Sequence, residues 1–321
     1  MVVQSEALGV VKRIRESVSR VVVGKSEALD ILLTAFLSEG HALIEDVPGI
    51  GKTLLAKTLA QCLGLRFRRI QFTPDLLPSD VTGSSIFNQK TMDFEFKEGP
   101  VFTDIILADE INRATPRTQS SLLECMEERQ VTVDGTTHRL SPHFFVIATQ
   151  NPVELQGTFP LPEAQLDRFM ARVRLGYPSE EEEREIVSRF ESGVRREVEP
   201  VTGPDEISRV KEVIREVHLS DELNRYISTI CRATRAQPGV EMGVSPRATL
   251  SLSRACKSYA FLQGRSYVIP DDVKRLAVPV LAHRLLLSEA SSIHGNSPED
   301  VVLRILDQVE VPIGLPEAGP G

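Results

Sequence analysis

The chain has 321 residues, 41% hydrophobic and 26% charged, with a formal net charge of −8. That length allows two domains with separate cores, and the composition is that of an ordinary soluble globular protein. The acidic balance argues against nucleic acid as the main partner, and no apolar run reaches the length of a membrane span.

The N-terminus lacks the apolar core of a signal peptide. Cys62, Cys125, Cys231 and Cys256 are far apart, form no CxxC pair and fall in helix-type patterns, which predicts reduced core thiols in a cytoplasmic protein. The six histidines are scattered without metal-ligand spacing.

Residues 4–20 place Leu8, Val11, Ile14 and Val18 at near-helical spacing and predict an amphipathic helix. A second helix over 26–38 carries Ala28, Leu29, Leu32, Leu33 and Phe36 on one face and ends at Gly40. Leu43 and Ile44 then form an apolar run of strand type. Val47, Pro48, Gly49, Ile50 and Gly51 make a tight turn, and Lys52, Thr53 and Leu54 open a helix that continues through Leu55 and Leu59.

A strand, a glycine-bearing loop and a helix N-terminus cradle nucleotide phosphates: glycines let backbone N–H groups approach, and the helix dipole favours negative charge. Lys52 is the candidate for the β- and γ-phosphates of ATP, and the Thr53 hydroxyl for Mg²⁺. Asp46 departs from the pattern, standing where the first glycine of such loops stands; repulsion from phosphates predicts that its carboxylate points away. Val23 and Gly24, in the run Val21–Gly24, either line the adenine pocket or merely end the first helix; the residues leave both open.

A second strand is predicted near 67–72, where Arg66, Arg68 and Arg69 alternate with Phe67 and Ile70, a half-exposed strand rather than a nucleic-acid surface. The Pro-punctuated stretch 74–83 precedes strand-like runs at 84–87 and 94–96, which predict a hairpin bearing Phe94 and Phe96. Ile105–Ala108 is a fully apolar run ending in Asp109 and Glu110, as a buried parallel strand reads, and its carboxyl end is where ligands bind. Asp109 is the candidate for the Mg²⁺ water shell and Glu110 for orienting and polarising the attacking water.

Residues 118–129 read as a helix, and 130–140 as a second hairpin whose Asp134-Gly135 suits a type I′ turn. His143–Thr149 is another buried strand, and Asn151 behind it either meets the γ-phosphate or forms a plain Asn-Pro turn. Gln165–Phe169 is predicted to end a helix beyond the ligand edge of the sheet, and Met170–Leu175 to form a fifth strand. Tyr177-Pro178 marks a boundary, after which the periodicity is helical: 207–217, 223–230, 247–262, 271–287 and 298–309. Ser220, Ser245 and Ser297 are predicted helix caps, and the tail after Pro312 is predicted to fray.

Val47-Pro-Gly-Ile-Gly-Lys-Thr53, Ala108-Asp-Glu-Ile-Asn-Arg-Ala114, Ala148-Thr-Gln-Asn-Pro152, Gly157–Phe169 and Ser245-Pro-Arg-Ala248 together closely resemble the MoxR family of AAA+ ATPases. The resemblance implies an α/β P-loop AAA+ domain over 1–176, with a parallel five-stranded sheet and hairpin insertions, and an all-α lid domain over 177–321. It further implies a homo-hexameric ring with nucleotide at subunit interfaces. On that pattern Asn151 is the first sensor, Arg168 the arginine finger reaching a neighbour's γ-phosphate, and Arg247 the second sensor, on a lid that closes over the γ-phosphate. Proteins of this family act like chaperones, often with a von Willebrand factor A domain protein, and some assist metal-cofactor maturation. A nucleic-acid motor, a magnesium-chelatase-type motor subunit and a nucleotide-gated scaffold with little turnover are the alternatives. A motor on nucleic acid would be expected to carry several Lys or Arg in the 130–140 hairpin, which offers Arg139 and His138.

Overall fold

The computed structural model describes residues 2–152, 157–191 and 198–312, so the tail predicted to fray lies outside the described residues. Helices α1 (Val2–Ser19) and α2 (Ser26–Leu37) lead into strand β1 (Ala42–Glu45), and α3 (Lys52–Cys62) follows the glycine turn. Next come β2 (Phe67–Gln71), the short α4 (Pro78–Thr82), the hairpin β3 (Gly83–Asn88) and β4 (Asp93–Glu98), and β5 (Ile105–Asp109). Helix α5 (Pro116–Glu128), the hairpin β6 (Gln130–Val133) and β7 (Thr136–Arg139), β8 (Phe145–Gln150), α6 (Glu163–Leu166) and β9 (Ala171–Val173) complete the first half.

The central sheet has five parallel strands in the order β2-β5-β8-β1-β9. β5 is buried along its whole length, as its uninterrupted apolar sequence requires when both faces are covered. Asp134 (φ 49°) and Gly135 (φ 78°) both adopt the left-handed conformation that the type I′ turn needs. The two hairpins touch: the Phe96 ring of β4 stacks on His138 of β7 with centroids 4.1 Å apart. Phe96 is thereby half-buried, whereas Phe94 is 68% exposed, so only one of the two predicted hairpin aromatics faces solvent.

The second half contains α7 (Glu180–Glu191), α8 (Pro204–Arg215), α9 (Asp221–Ala233), β10 (Val240–Met242), α10 (Pro246–Leu262), α11 (Pro270–Leu281), β11 (Leu286–Leu287), α12 (Glu289–Ile293) and α13 (Pro298–Gln308). The stretch expected as one helix over 271–287 stops at Leu281, and Leu286–Leu287 leave it to pair with β10. The apolar faces read from the sequence are buried as expected, including Ile207, Val210 and Ile214 of α8 and Leu223, Tyr226, Ile227 and Ile230 of α9. Ser220 and Ser297 cap α9 and α13 through N–H groups three residues on, but Ser245 does not cap α10; its hydroxyl donates to Asp167 Oδ2 at 3.1 Å.

Candidate active site

β1 leaves the sheet at Glu45, and the turn that follows is tied down from several directions. The Asp46 N–H donates to the Gln150 carbonyl at 3.2 Å, and the Asp46 carbonyl accepts Lys52 Nζ at 2.7 Å. Asp46 Oδ2 accepts the N–H groups of Leu175 and Gly176, each at 2.8 Å, and Oδ1 accepts the Val47 N–H at 3.0 Å. The carboxylate thus turns from the loop toward the chain leaving β9, as expected for a charge that must avoid phosphates. Lys25, 8% exposed, grips the same peptides from their other side, donating to the Leu175 and Gly176 carbonyls at 3.1 and 2.9 Å.

Gly49 and Gly51 have φ of 85° and 92°, where a side chain would be strained, and a Cβ at either would meet nothing within 4 Å. The space over the loop is open, and α3 begins at Lys52 with first-turn N–H groups that no capping side chain satisfies. Val47, Ile50, Lys52 and Thr53 are half-buried, Pro48 and Gly49 are exposed, and Leu54 points outward at 48% exposure. Burial lowers the Lys52 pKa below that of an ordinary lysine, against the opposing pull of Asp109, Asp46 and Glu110. Val23 and Gly24 line a cleft of about 340 Å³ together with Val22, Leu29, Leu55 and Arg189, which sets them beside the phosphate-loop helix.

β5 delivers Asp109 to the same carboxyl edge of the sheet. Thr149 Oγ1 of β8 donates to Asp109 Oδ1 at 2.6 Å, and Arg69 of β2 donates to Oδ2 through Nη2 at 2.7 Å and Nε at 3.0 Å. Glu110 has φ 56°, a conformation that costs a non-glycine residue on the order of 1 kcal/mol or more. It is held there by its N–H, which donates to Thr149 Oγ1 at 2.9 Å, and by its carboxylate, which accepts Gln71 Nε2 at 2.6 Å and pairs with Arg113 Nε at 3.1 Å. Asn151, half-buried, follows β8 at this edge.

Sequence reasoning gave no role in the site to Thr149, Arg69, Gln71 or Arg113. A threonine ending an apolar strand was a usable signal for Thr149, but Arg69 and Gln71 gain meaning only once β2 is known to pair with β5. Among the described residues no cluster of three or more His, Cys, Asp or Glu could hold a metal. The Thr53 hydroxyl and the Asp109 carboxylate are hard oxygen donors, and a few such ligands suit Mg²⁺, which keeps waters and substrate phosphates in its shell.

Arg168 and Arg247 are elsewhere. β9 pairs with β1 through Ala171 and Ala42, so residues just before Ala171 lie with His41 at the amino edge of the sheet. Arg168 sits in the turn past α6, not in a helix running to Phe169, and its Nε pairs with Glu127 Oε2 at 3.0 Å. Arg247, in the first turn of α10, pairs through Nη1 with the other oxygen, Oε1, also at 3.0 Å. Glu127 reaches this edge because α5 runs back across the sheet, bringing the Met126 carbonyl within 3.1 Å of His41 Nε2.

A strand the length of β1 spans roughly 13 Å. Both arginines are therefore set off from their own chain's phosphate loop by about the length of that strand. This corrects two expectations: Arg168 does not lie beyond the ligand edge, and Arg247 is not placed to close over its own γ-phosphate site.

Residues 41–171 match the family described as "ATPase family associated with various cellular activities (AAA)", and residues 232–305 match an AAA lid domain. The chain is 50% identical to the uncharacterized protein YeaC of Bacillus subtilis over 93% of each chain. It is 42% identical to Chaperone MoxR1 of Mycobacterium tuberculosis, over 92% of this chain and 80% of that one. To Protein MoxR of Paracoccus denitrificans it is 32% identical, over 93% and 94%. A crystal structure of a Cytophaga hutchinsonii protein assigned as an ATPase shares the fold with a TM-score of 0.91, at 40% identity over 97% of both chains. The phosphate loop, the Asp109–Glu110 strand end and these likenesses over most of each chain agree: the chain belongs to the MoxR family of AAA+ ATPases.

Proposed function

We propose that this chain is a cytoplasmic ATPase that hydrolyses Mg-ATP in a ring of identical subunits, a hexamer by family resemblance, and uses the turnover to remodel or activate partner proteins. The observation that carries the reading is the meeting of Lys52, Asp109 and Glu110 at one sheet edge, while Arg168 and Arg247 share Glu127 at the other. Lys52 exchanges the Asp46 carbonyl for the β- and γ-phosphates. Thr53 and Asp109 hold Mg²⁺, which when bound offsets the phosphate charge. Glu110 orients and polarises the attacking water after giving up Gln71 or Arg113, and Asn151 contacts the γ-phosphate or that water. Val23 and Gly24 line the adenine pocket.

Arg168 and Arg247 serve the neighbouring subunit's nucleotide, since neither is positioned for its own. We divide the chain into a nucleotide-binding domain, 1–176, and a lid, 177–321, with Leu175–Gly176 as the hinge held by Asp46 and Lys25. The β3–β4 hairpin exposes Phe87, Met92 and Phe94 and is the surface offered to a client. A von Willebrand factor A domain protein, or a complex awaiting maturation or its metal cofactor, is the partner that the family resemblance suggests, and one relative carries the name chaperone.

Phosphate release from Mg-ATP by the purified chain, alone and with a co-purified partner, tests the reading. Turnover that Lys52→Ala abolishes is expected. ATP binding with no turnover under either condition would leave a nucleotide-gated scaffold in its place.

A further inference from the structure

The C-terminal end of α2 and the facing sides of α8 and α10 enclose a pocket of about 280 Å³. Lys211, Arg215, Arg254 and Lys257 line it, and Glu39 is the only carboxylate among its lining residues. Glu39 is already committed: both its oxygens lie 3.3 Å from Arg215 Nη2, and its carbonyl accepts Arg129 Nη2 at 2.8 Å.

Lys211 is 7% exposed, yet its ammonium has no hydrogen-bond acceptor among the described residues; Nζ rests 4.7 Å from the centroid of the Phe36 ring. Burial pulls its pKa down to about 8, with Glu39 opposing and the nearby Arg129 and Arg215 adding to the depression. The Arg254 guanidinium also has no partner among the described residues, and Lys257 Nζ reaches only the Arg215 carbonyl, at 3.0 Å. A largely desolvated ammonium without a protein acceptor is costly, and crowding it with further cations raises the cost. A bound anion removes both penalties.

We infer that this pocket binds a small, free, multiply charged anion of the phosphate type, with Lys211, Arg254 and Lys257 as its donors. Four lining cations against one committed carboxylate favour a multiply charged phosphate over a lone carboxylate. A half-open pocket of this size between helices suits a compact free ligand rather than a protein segment. The inference does not depend on the ATPase reading, because the phosphate loop and this pocket share no residue.

Calorimetric titration of inorganic pyrophosphate into the ADP-saturated full chain tests it, using wild type, Lys52→Ala, Lys211→Met and Arg254→Ala. Saturable binding is expected in wild type and in Lys52→Ala, and at least tenfold weaker binding in Lys211→Met and Arg254→Ala. Should Lys211→Met fail to fold, Arg254→Ala decides, since its exposed side chain packs in no core. The inference is overturned by the absence of saturable millimolar binding in wild type, or by binding lost in Lys52→Ala but kept in the other two variants. Citrate binding as tightly as pyrophosphate would overturn the assignment to phosphate.

Discussion

At the carboxyl edge of the sheet, the charged groups of the candidate site are partnered within the chain: Lys52 by the Asp46 carbonyl, Asp109 by Thr149 and Arg69, Glu110 by Gln71 and Arg113. At the amino edge, Arg168 and Arg247 converge on a single glutamate whose side chain is 38% exposed, with no phosphate loop of their own chain within reach. The first edge has the parts for binding a nucleotide and orienting water. On the proposed function, the second supplies two arginines for a γ-phosphate bound by a neighbouring subunit. The proposed ring would complete each site by bringing one subunit's Arg168 and Arg247 to the next subunit's phosphate loop.

At the carboxyl edge, the proposed chemistry depends most on Glu110 as the group that handles water. Glu110→Gln should retain Mg-ATP binding and lower turnover by roughly 10²–10⁴-fold, the usual worth of a positioned general base. Near wild-type phosphate release from this variant would remove Glu110 from the chemistry.

A smaller effect sharpens the other edge. Glu127→Gln keeps the shape but weakens the charged contacts to Arg168 and Arg247, and turnover should fall about tenfold with ATP affinity unchanged. If turnover rises instead, Glu127 restrains the two arginines rather than positioning them.

The edges also differ in their response to acid. His41, beneath the amino edge, accepts the Val146 N–H at Nδ1 (3.0 Å) and meets the Met126 carbonyl at Nε2 (3.1 Å), which requires the neutral ring. Burial, with Arg129 adding to it, lowers its pKa from 6.5 to about 3. Between those values the unfolded chain binds a proton that the folded chain refuses. Stability from this site is therefore complete above pH 6.5 and declines as pH falls toward 3, by up to about 1.4 kcal/mol per pH unit. Buried His283, its pKa also lowered by burial, acts in the same direction. Urea unfolding at pH 7 and pH 5 should show the loss, and His41→Gln should flatten it; an unchanged slope in the variant would assign the acid response elsewhere.

The smallest effect on nucleotide handling concerns Asp46. Asp46→Gly removes the contacts to the Val47, Leu175 and Gly176 N–H groups, and about 1–3 kcal/mol of stability should go with them. ATP affinity should change by less than about tenfold, because the carboxylate faces away from the loop. A larger gain in affinity would show that the carboxylate does repel the phosphates.

The carboxyl edge was legible in the sequence because its signals are local. A glycine turn before Lys52 and an apolar run ending at Asp109 each declare themselves within a dozen residues. The amino edge was not, because the position of Arg168 depends on the register of β9 against β1 and on the return path of α5 that brings Glu127 to meet it. The same holds for Arg69, whose place beside Asp109 follows from β2 pairing with β5. In the lid, Leu285–Leu287 continue an apolar pattern that fits a helix, and only the presence of β10 draws Leu286 and Leu287 into an extended pair.

If each active site is built from two subunits, as proposed, mixing two inactive variants should restore turnover. Lys52→Ala subunits lack the phosphate contact but keep Arg168; Arg168→Ala subunits have the converse defect. Each homogeneous ring should turn over little ATP, since a finger supplied from a neighbour contributes about 10³–10⁵ in rate. In mixed rings some interfaces pair an intact Lys52 with an intact Arg168, and turnover should exceed that of either parent, peaking near equal proportions. Mixed rings no more active than their parents, with subunit exchange demonstrated by mass spectrometry, would contradict the account.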